Sequence, residues 1–175
     1  AKLAFFLNEK SIGNDSKIGL YLHNSNEYLE AQFATFKVEG VPINVNYRYV
    51  EEELIYLLDN SDSEVVFFQS AYAERIKKIA DKLPKIKAYI QVGGENSLDI
   101  NNCYLYEEII SENPPLARKT RSEDNIDMLY TGGTTGMPKG VMYKQGGFMN
   151  SLLKTALAMG FDVPESHLDI PSTVS

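Results

Sequence analysis

Met128-Leu129-Tyr130-Thr131-Gly132-Gly133-Thr134-Thr135-Gly136-Met137-Pro138-Lys139-Gly140-Val141 is the stretch from which the rest of the chain is read. The nine residues from Thr131 to Lys139 hold three glycines, three threonines and one lysine, with apolar residues on either side. Glycine lets backbone N–H groups converge on one point and lets an anion approach without a Cβ in the way. Hydroxyls add donors, and lysine adds a mobile positive charge. The composition therefore predicts a phosphate-holding loop between two apolar strands. A glycine-rich turn that binds nothing is the plainer alternative.

Two common phosphate loops fail on spacing. A Walker-type loop needs Gly before the lysine and Ser or Thr after it, whereas Pro138 precedes Lys139 and Gly140 follows. A dinucleotide fingerprint needs Gly-x-Gly-x-x-Gly, and position 131 is threonine.

Outward from the loop, short apolar runs alternate with helical periodicity, the pattern of an α/β fold: a mainly parallel sheet with helices on both faces. Strands are expected at Lys17–Leu22, Val41–Val45, Glu64–Phe68, Ala88–Val92, Ile126–Tyr130 and Val141–Tyr143. A helix capped within Asn24-Ser25-Asn26 carries Glu27 in its first turn and stops near Gly40. Its large apolar residues Leu29, Phe33 and Phe36 share one side. A second helix opens on Glu51-Glu52-Glu53 and buries Leu54, Leu57 and Leu58. Between 71 and 83, Ile76, Ile79, Ala80 and Leu83 point inward, and Arg75, Lys77 and Lys78 point outward. A short helix is expected at Tyr104–Ile110 and a last one at Phe148–Met159, closed by Gly160. Residue 131 then falls at the carboxyl end of a strand, where open α/β sheets collect ligands.

The 175 residues suffice for a domain with a real core. A net charge of −7 without a Lys/Arg cluster argues against nucleic acid. No stretch reaches the ~18 apolar residues of a membrane span. The single cysteine, Cys103, excludes an internal disulfide, fits a reducing cytoplasm and reads as a buried or half-buried structural thiol. His23, just after a strand, reads as a capping or packing residue; His167 has no partner in the pattern. The chain starts inside an amphipathic helix and stops without a closing element, so it reads as a fragment.

Thr131 to Gly140 resembles the phosphate loop of the adenylate-forming superfamily. That superfamily comprises acyl-CoA synthetases, aryl-CoA ligases, peptide-synthetase adenylation domains and luciferases. Relatives often carry Ser where this chain has Gly132. The segments Ile18–Ala31 and Val38–Tyr49, followed by Glu51-Glu52-Glu53-Leu54, also resemble acyl-CoA synthetases. Asn-Tyr-Arg-Tyr at 46–49 and Tyr-Thr-Gly-Gly-Thr-Thr-Gly at 130–136 look most like bacterial fatty-acyl-CoA and steroid-side-chain-CoA synthetases. Asn44, Asn46 and Arg48 read as structural.

The resemblance implies that residues 1–175 are part of a large N-terminal AMP-binding domain, without the small C-terminal domain. The whole enzyme would join a carboxylic acid to ATP as an acyl-adenylate, then pass it to CoA. ATP phosphates would lie on Thr131, Gly132, Gly133, Thr134, Thr135, Gly136 and Lys139, and the hydroxyl of Thr131 or Thr135 would reach Mg2+. The segments that hold adenine and ribose, the magnesium-binding Glu and the adenylation lysine would follow residue 175. The piece alone is then expected to be inactive and to self-associate through uncovered apolar faces. A different adenylating enzyme, or a free-standing nucleotide-binding module, is the alternative.

Overall fold

The computed structural model describes residues 1–118, 120, 122–131 and 137–161. Lys2–Glu9 (α1) leads into Lys17–Tyr21 (β1) and Asn26–Lys37 (α2). Val41–Asn44 (β2), Glu51–Asn60 (α3), Ser63–Gln69 (β3) and Ala73–Ile79 (α4) follow. Then come Ala88–Val92 (β4), Cys103–Leu105 (β5) and Tyr106–Glu112 (α5), and finally Ile126–Thr131 (β6), Lys139–Lys144 (β7) and Gln145–Ala158 (α6). The strands form one sheet in the order β5-β4-β3-β1-β2-β6-β7. All neighbours are parallel except β6 and β7, which form an antiparallel pair at the edge.

Helices cover both faces, and each face has its own core. On one, Leu3, Leu7, Ala31, Ala34 and Ile109 from α1, α2 and α5 pack on Ile18, Leu20, Phe67 and Ile90. On the other, Leu54, Leu57, Leu58, Ile76 and Ile79 from α3 and α4 pack on Tyr21, Ile43, Val66 and Phe68. Consecutive residues such as Phe67 and Phe68 enter opposite cores because strand side chains alternate. Both are fully buried, which is why the parallel strands read as unbroken apolar runs.

Local signals place the helix starts. The Ser25 hydroxyl accepts the Tyr28 N–H at 3.3 Å, and the Glu53 carboxylate accepts the Val50 N–H at 3.0 Å. At the end of α2, Glu39 takes the left-handed conformation (φ 64°). Gly40 instead provides clearance: a Cβ there would lie 2.8 Å from Ile18 Cδ1 and 3.0 Å from the Ser16 carbonyl.

The structure shows which side of α2 is buried and corrects two sequence expectations. Leu29 and Phe33 are 52% and 66% exposed, because α2 turns its small residues Ala31, Ala34 and Thr35 to the sheet. Cys103–Leu105 is an edge strand, so the helix expected at Tyr104–Ile110 starts only at Tyr106. Arg75 turns inward: its guanidinium donates to the Tyr21 hydroxyl and, at 2.9 Å, to the Tyr49 carbonyl. Cys103 is half-buried, and burial pushes its thiol pKa up. No helix among the described residues is long and apolar enough to cross a membrane.

Candidate nucleotide-phosphate site

The carboxyl ends of the parallel strands share one edge, and β6 reaches it at Thr131. β6 runs parallel to β2 through Ile43 and Met128, and antiparallel to β7 from Ile126↔Lys144 to Thr131↔Lys139. The sequence therefore leaves the sheet at Thr131 and re-enters it at Lys139, directly opposite. Of the expected phosphate ligands, these two are exposed and stand at the mouth of the loop. Gly132, Gly133, Thr134, Thr135 and Gly136 lie outside the described residues, as does His167.

The donors at this mouth suit an anion. Thr131 brings a hydroxyl and Lys139 an ammonium, and no described carboxylate forms an ion pair with Lys139. The described residues contain no group of three or more His, Cys, Asp or Glu able to hold a metal ion.

The stem of this hairpin is tied to α3, a feature the sequence reading missed. The Tyr130 hydroxyl donates to Asn60 Oδ1 at 2.8 Å, and the Tyr56 hydroxyl donates to the Pro138 carbonyl at 3.3 Å. Burial pushes the Tyr130 phenol pKa up, with Tyr56 and Asp62 adding to the effect, so it remains a donor at neutral pH. The four-residue spacing of Tyr56 and Asn60 on one side of α3 was the available signal.

A second cluster lies at the ends of β1 and β3, where the chain direction across the sheet reverses. The His23 ring packs on Tyr47 with centroids 4.2 Å apart, and its Nε2 meets the Tyr72 hydroxyl at 2.5 Å. The Tyr21 and Tyr72 rings are 4.6 Å apart. The Tyr21 hydroxyl donates to the Tyr49 carbonyl at 2.9 Å while accepting from Arg75. These partners bear out the packing role read for His23. Asn46 Oδ1 accepts the Arg48 N–H at 3.0 Å, fixing the turn after β2.

On the opposite side of β6, an apolar cleft of about 620 Å³ runs between α2, the hairpin and α6. Tyr28, Phe33, Phe36, Leu129 and Phe148 line it, and Asp127 enters it. Burial raises the Asp127 pKa. A carboxyl with a raised folded pKa binds its proton more tightly folded than unfolded, so its charge at neutral pH costs stability. That cost fades as pH falls through the folded pKa. Asp127→Asn is therefore expected to raise the unfolding midpoint at pH 7 by about one or two degrees, a small effect because the group is half-exposed. Thermal scans should show the gap closing toward pH 4; a midpoint lowered by the substitution at pH 7 would count against a desolvated carboxylate.

Known proteins share this fold. The family model for AMP-binding enzyme matches residues 1–169. A 3-oxocholest-4-en-26-oate–CoA ligase of Rhodococcus rhodochrous is 38% identical over 146 residues, covering 82% of this chain and 26% of that protein. The medium-chain acyl-CoA ligase Mig of Mycobacterium avium is 38% identical over 163 residues, covering 90% of this chain and 29% of its own length. The chain thus spans between a quarter and a third of these curated relatives. Among solved structures, a long-chain-fatty-acid–CoA ligase from Archaeoglobus fulgidus superposes with a TM-score of 0.74 at 26% identity, over 92% of this chain and 31% of that one. An anthranilate CoA ligase in complex with anthranoyl-AMP gives 0.78 at 19% identity, covering 89% and 30%, a likeness of fold. Matched across nearly its whole length, the chain belongs to the AMP-binding enzyme family.

Proposed function

We propose that residues 1–175 are the nucleotide-phosphate part of the N-terminal domain of an ATP-dependent acyl-CoA synthetase in the cytoplasm. The observation that carries this reading is the placement of Thr131 and Lys139 opposite each other at the carboxyl edge of the sheet. A loop of glycine and threonine between them can turn its amides and hydroxyls to a triphosphate. The named activities of the relatives, on a steroid-side-chain acid and a medium-chain acid, point to an aliphatic carboxylic acid as substrate.

In the proposed reaction the acid carboxylate attacks the α-phosphorus of ATP. The α–β phosphoanhydride bond breaks, and pyrophosphate carries away the electron pair. The CoA thiolate then attacks the acyl carbon and displaces AMP. The role of this chain is to hold the departing pyrophosphate. Backbone amides of 131–136 and the hydroxyls of Thr131, Thr134 and Thr135 donate to its β- and γ-oxygens, and Lys139 adds positive charge. Mg2+ supplies further charge neutralisation when bound. No general base is required from these residues, because positioning and electrostatics supply the acceleration.

The test is acid-dependent exchange of labelled pyrophosphate into ATP by the full-length protein, with aliphatic acids of increasing length. Label in ATP only when acid and Mg2+ are present supports the reading. Exchange with amino acids or aromatic acids alone would place the protein in another adenylating branch.

A further inference from the structure

We propose that Tyr56 and Asn60 on α3 are positioning residues for the phosphate loop, bracing both arms of the hairpin that carries it. The inference rests on the loop's proposed role and extends it to residues about 70 and 80 positions upstream.

The hairpin needs such bracing. β6 registers with β2 only at Ile43↔Met128, and all of β7 is exposed. The ladder joining this pair to the sheet is therefore short, while the loop must present several donors at fixed distances to a triphosphate. α3 supplies a second attachment on each side of the loop mouth. Asn60 takes the Tyr130 hydroxyl on the departing arm, one residue before Thr131. Tyr56 reaches the Pro138 carbonyl on the returning arm, one residue before Lys139. The two contacts are one helical turn apart on the same helix, whose other side is anchored by Leu54, Leu57 and Leu58.

Gly140 belongs to this brace. It pairs with Tyr130 across the hairpin, and a Cβ there would lie 3.2 Å from two Tyr130 ring carbons and 3.1 Å from Met128 Sδ. Glycine lets the ring lie across the partner strand and reach Asn60. The last glycine of the motif thus serves the stem, a role separate from phosphate contact.

The test uses the full-length protein with Tyr56→Phe, Tyr130→Phe and Asn60→Ala. Phenylalanine keeps the ring packing and removes only the hydroxyl. MgATP affinity by titration and the KM for MgATP in pyrophosphate exchange are expected to weaken by about three- to tenfold, the worth of one neutral hydrogen bond. The KM for the acid should stay at its wild-type value, the kcat at saturating MgATP should fall by no more than the same factor, and the unfolding midpoint should fall by no more than about two degrees. Because Tyr130 and Asn60 form one contact, their double variant should weaken binding no more than either single one. Unchanged MgATP affinity in all variants, beside a wild type that binds normally, would overturn this inference alone. So would MgATP and acid KM values that rise together with a falling midpoint, since that is general destabilisation. A wild type that does not bind MgATP would overturn the functional reading and this inference with it.

Discussion

Lys139→Ala in the full-length protein is expected to lower kcat/KM for MgATP by about a hundredfold, the scale of removing one preorganised donor to developing charge. The KM for the acid should change little. Lys139 opens β7 directly opposite Thr131, is exposed, and pairs with no described carboxylate. In the proposed reaction an ammonium so placed would serve the departing pyrophosphate, on which negative charge grows. Lys139→Arg keeps the charge and should recover part of the loss, though its planar fork differs from a compact ammonium. Steady-state pyrophosphate exchange reads all of these values. An alanine variant within twofold of wild type would make Lys139 a surface lysine.

Residues 1–175 produced alone are expected to show no acid-dependent pyrophosphate exchange and to form dimers or larger species. The chain spans between a quarter and a third of its relatives. It also exposes several large apolar side chains on α2, β7 and α6, and exposed apolar patches mark surfaces that associate. Leu29 and Phe33 on α2, Met142 and Tyr143 on β7, and Phe148, Leu152 and Leu157 on α6 are all exposed, with Met142 at 63%. Among the described residues β7 is an edge strand of the sheet, and an open edge is a template for pairing with another chain. Sizing at rising concentration, together with exchange on the same sample, checks both expectations. A monodisperse, catalytically active monomer would contradict them.

The legible parts of this molecule were those whose determinants are local. The apolar runs 41–45 and 64–68 fell within a residue or two of β2 and β3, and 88–92 matched β4. Three consecutive glutamates and three leucines gave α3 its start and its buried side. The connection between β6 and β7 was readable as a loop because one continuous segment carries it; Thr131 ends β6 where the strand pattern put a strand end, whereas Lys139, read as a loop residue before a strand at Val141, opens β7. The loop's inner residues, 132–136, rest on the motif alone.

Features that depend on distant partners were not legible. Arg75 reads as outward because charged residues on an amphipathic helix usually are, yet its partners are Tyr21, 54 residues away, and Tyr49. The buried side of α2 was not legible either. Apolar spacing identifies a shared side, but the distance between helix and sheet decides which side is buried. Here close approach selects Ala31, Ala34 and Thr35. β5 has three residues, too few to display a period. The ties from Tyr56 and Asn60 to the hairpin join segments that no local pattern connects.

The most direct measurement is a structure of the full-length protein with Mg2+ and a non-hydrolysable ATP analogue. The account predicts the β- and γ-phosphates within hydrogen-bond distance of backbone amides in 131–136, with Lys139 beside them and the Tyr56–Pro138 and Tyr130–Asn60 contacts intact. A triphosphate bound elsewhere on the protein, with the 131–139 loop free of ligand, would contradict it.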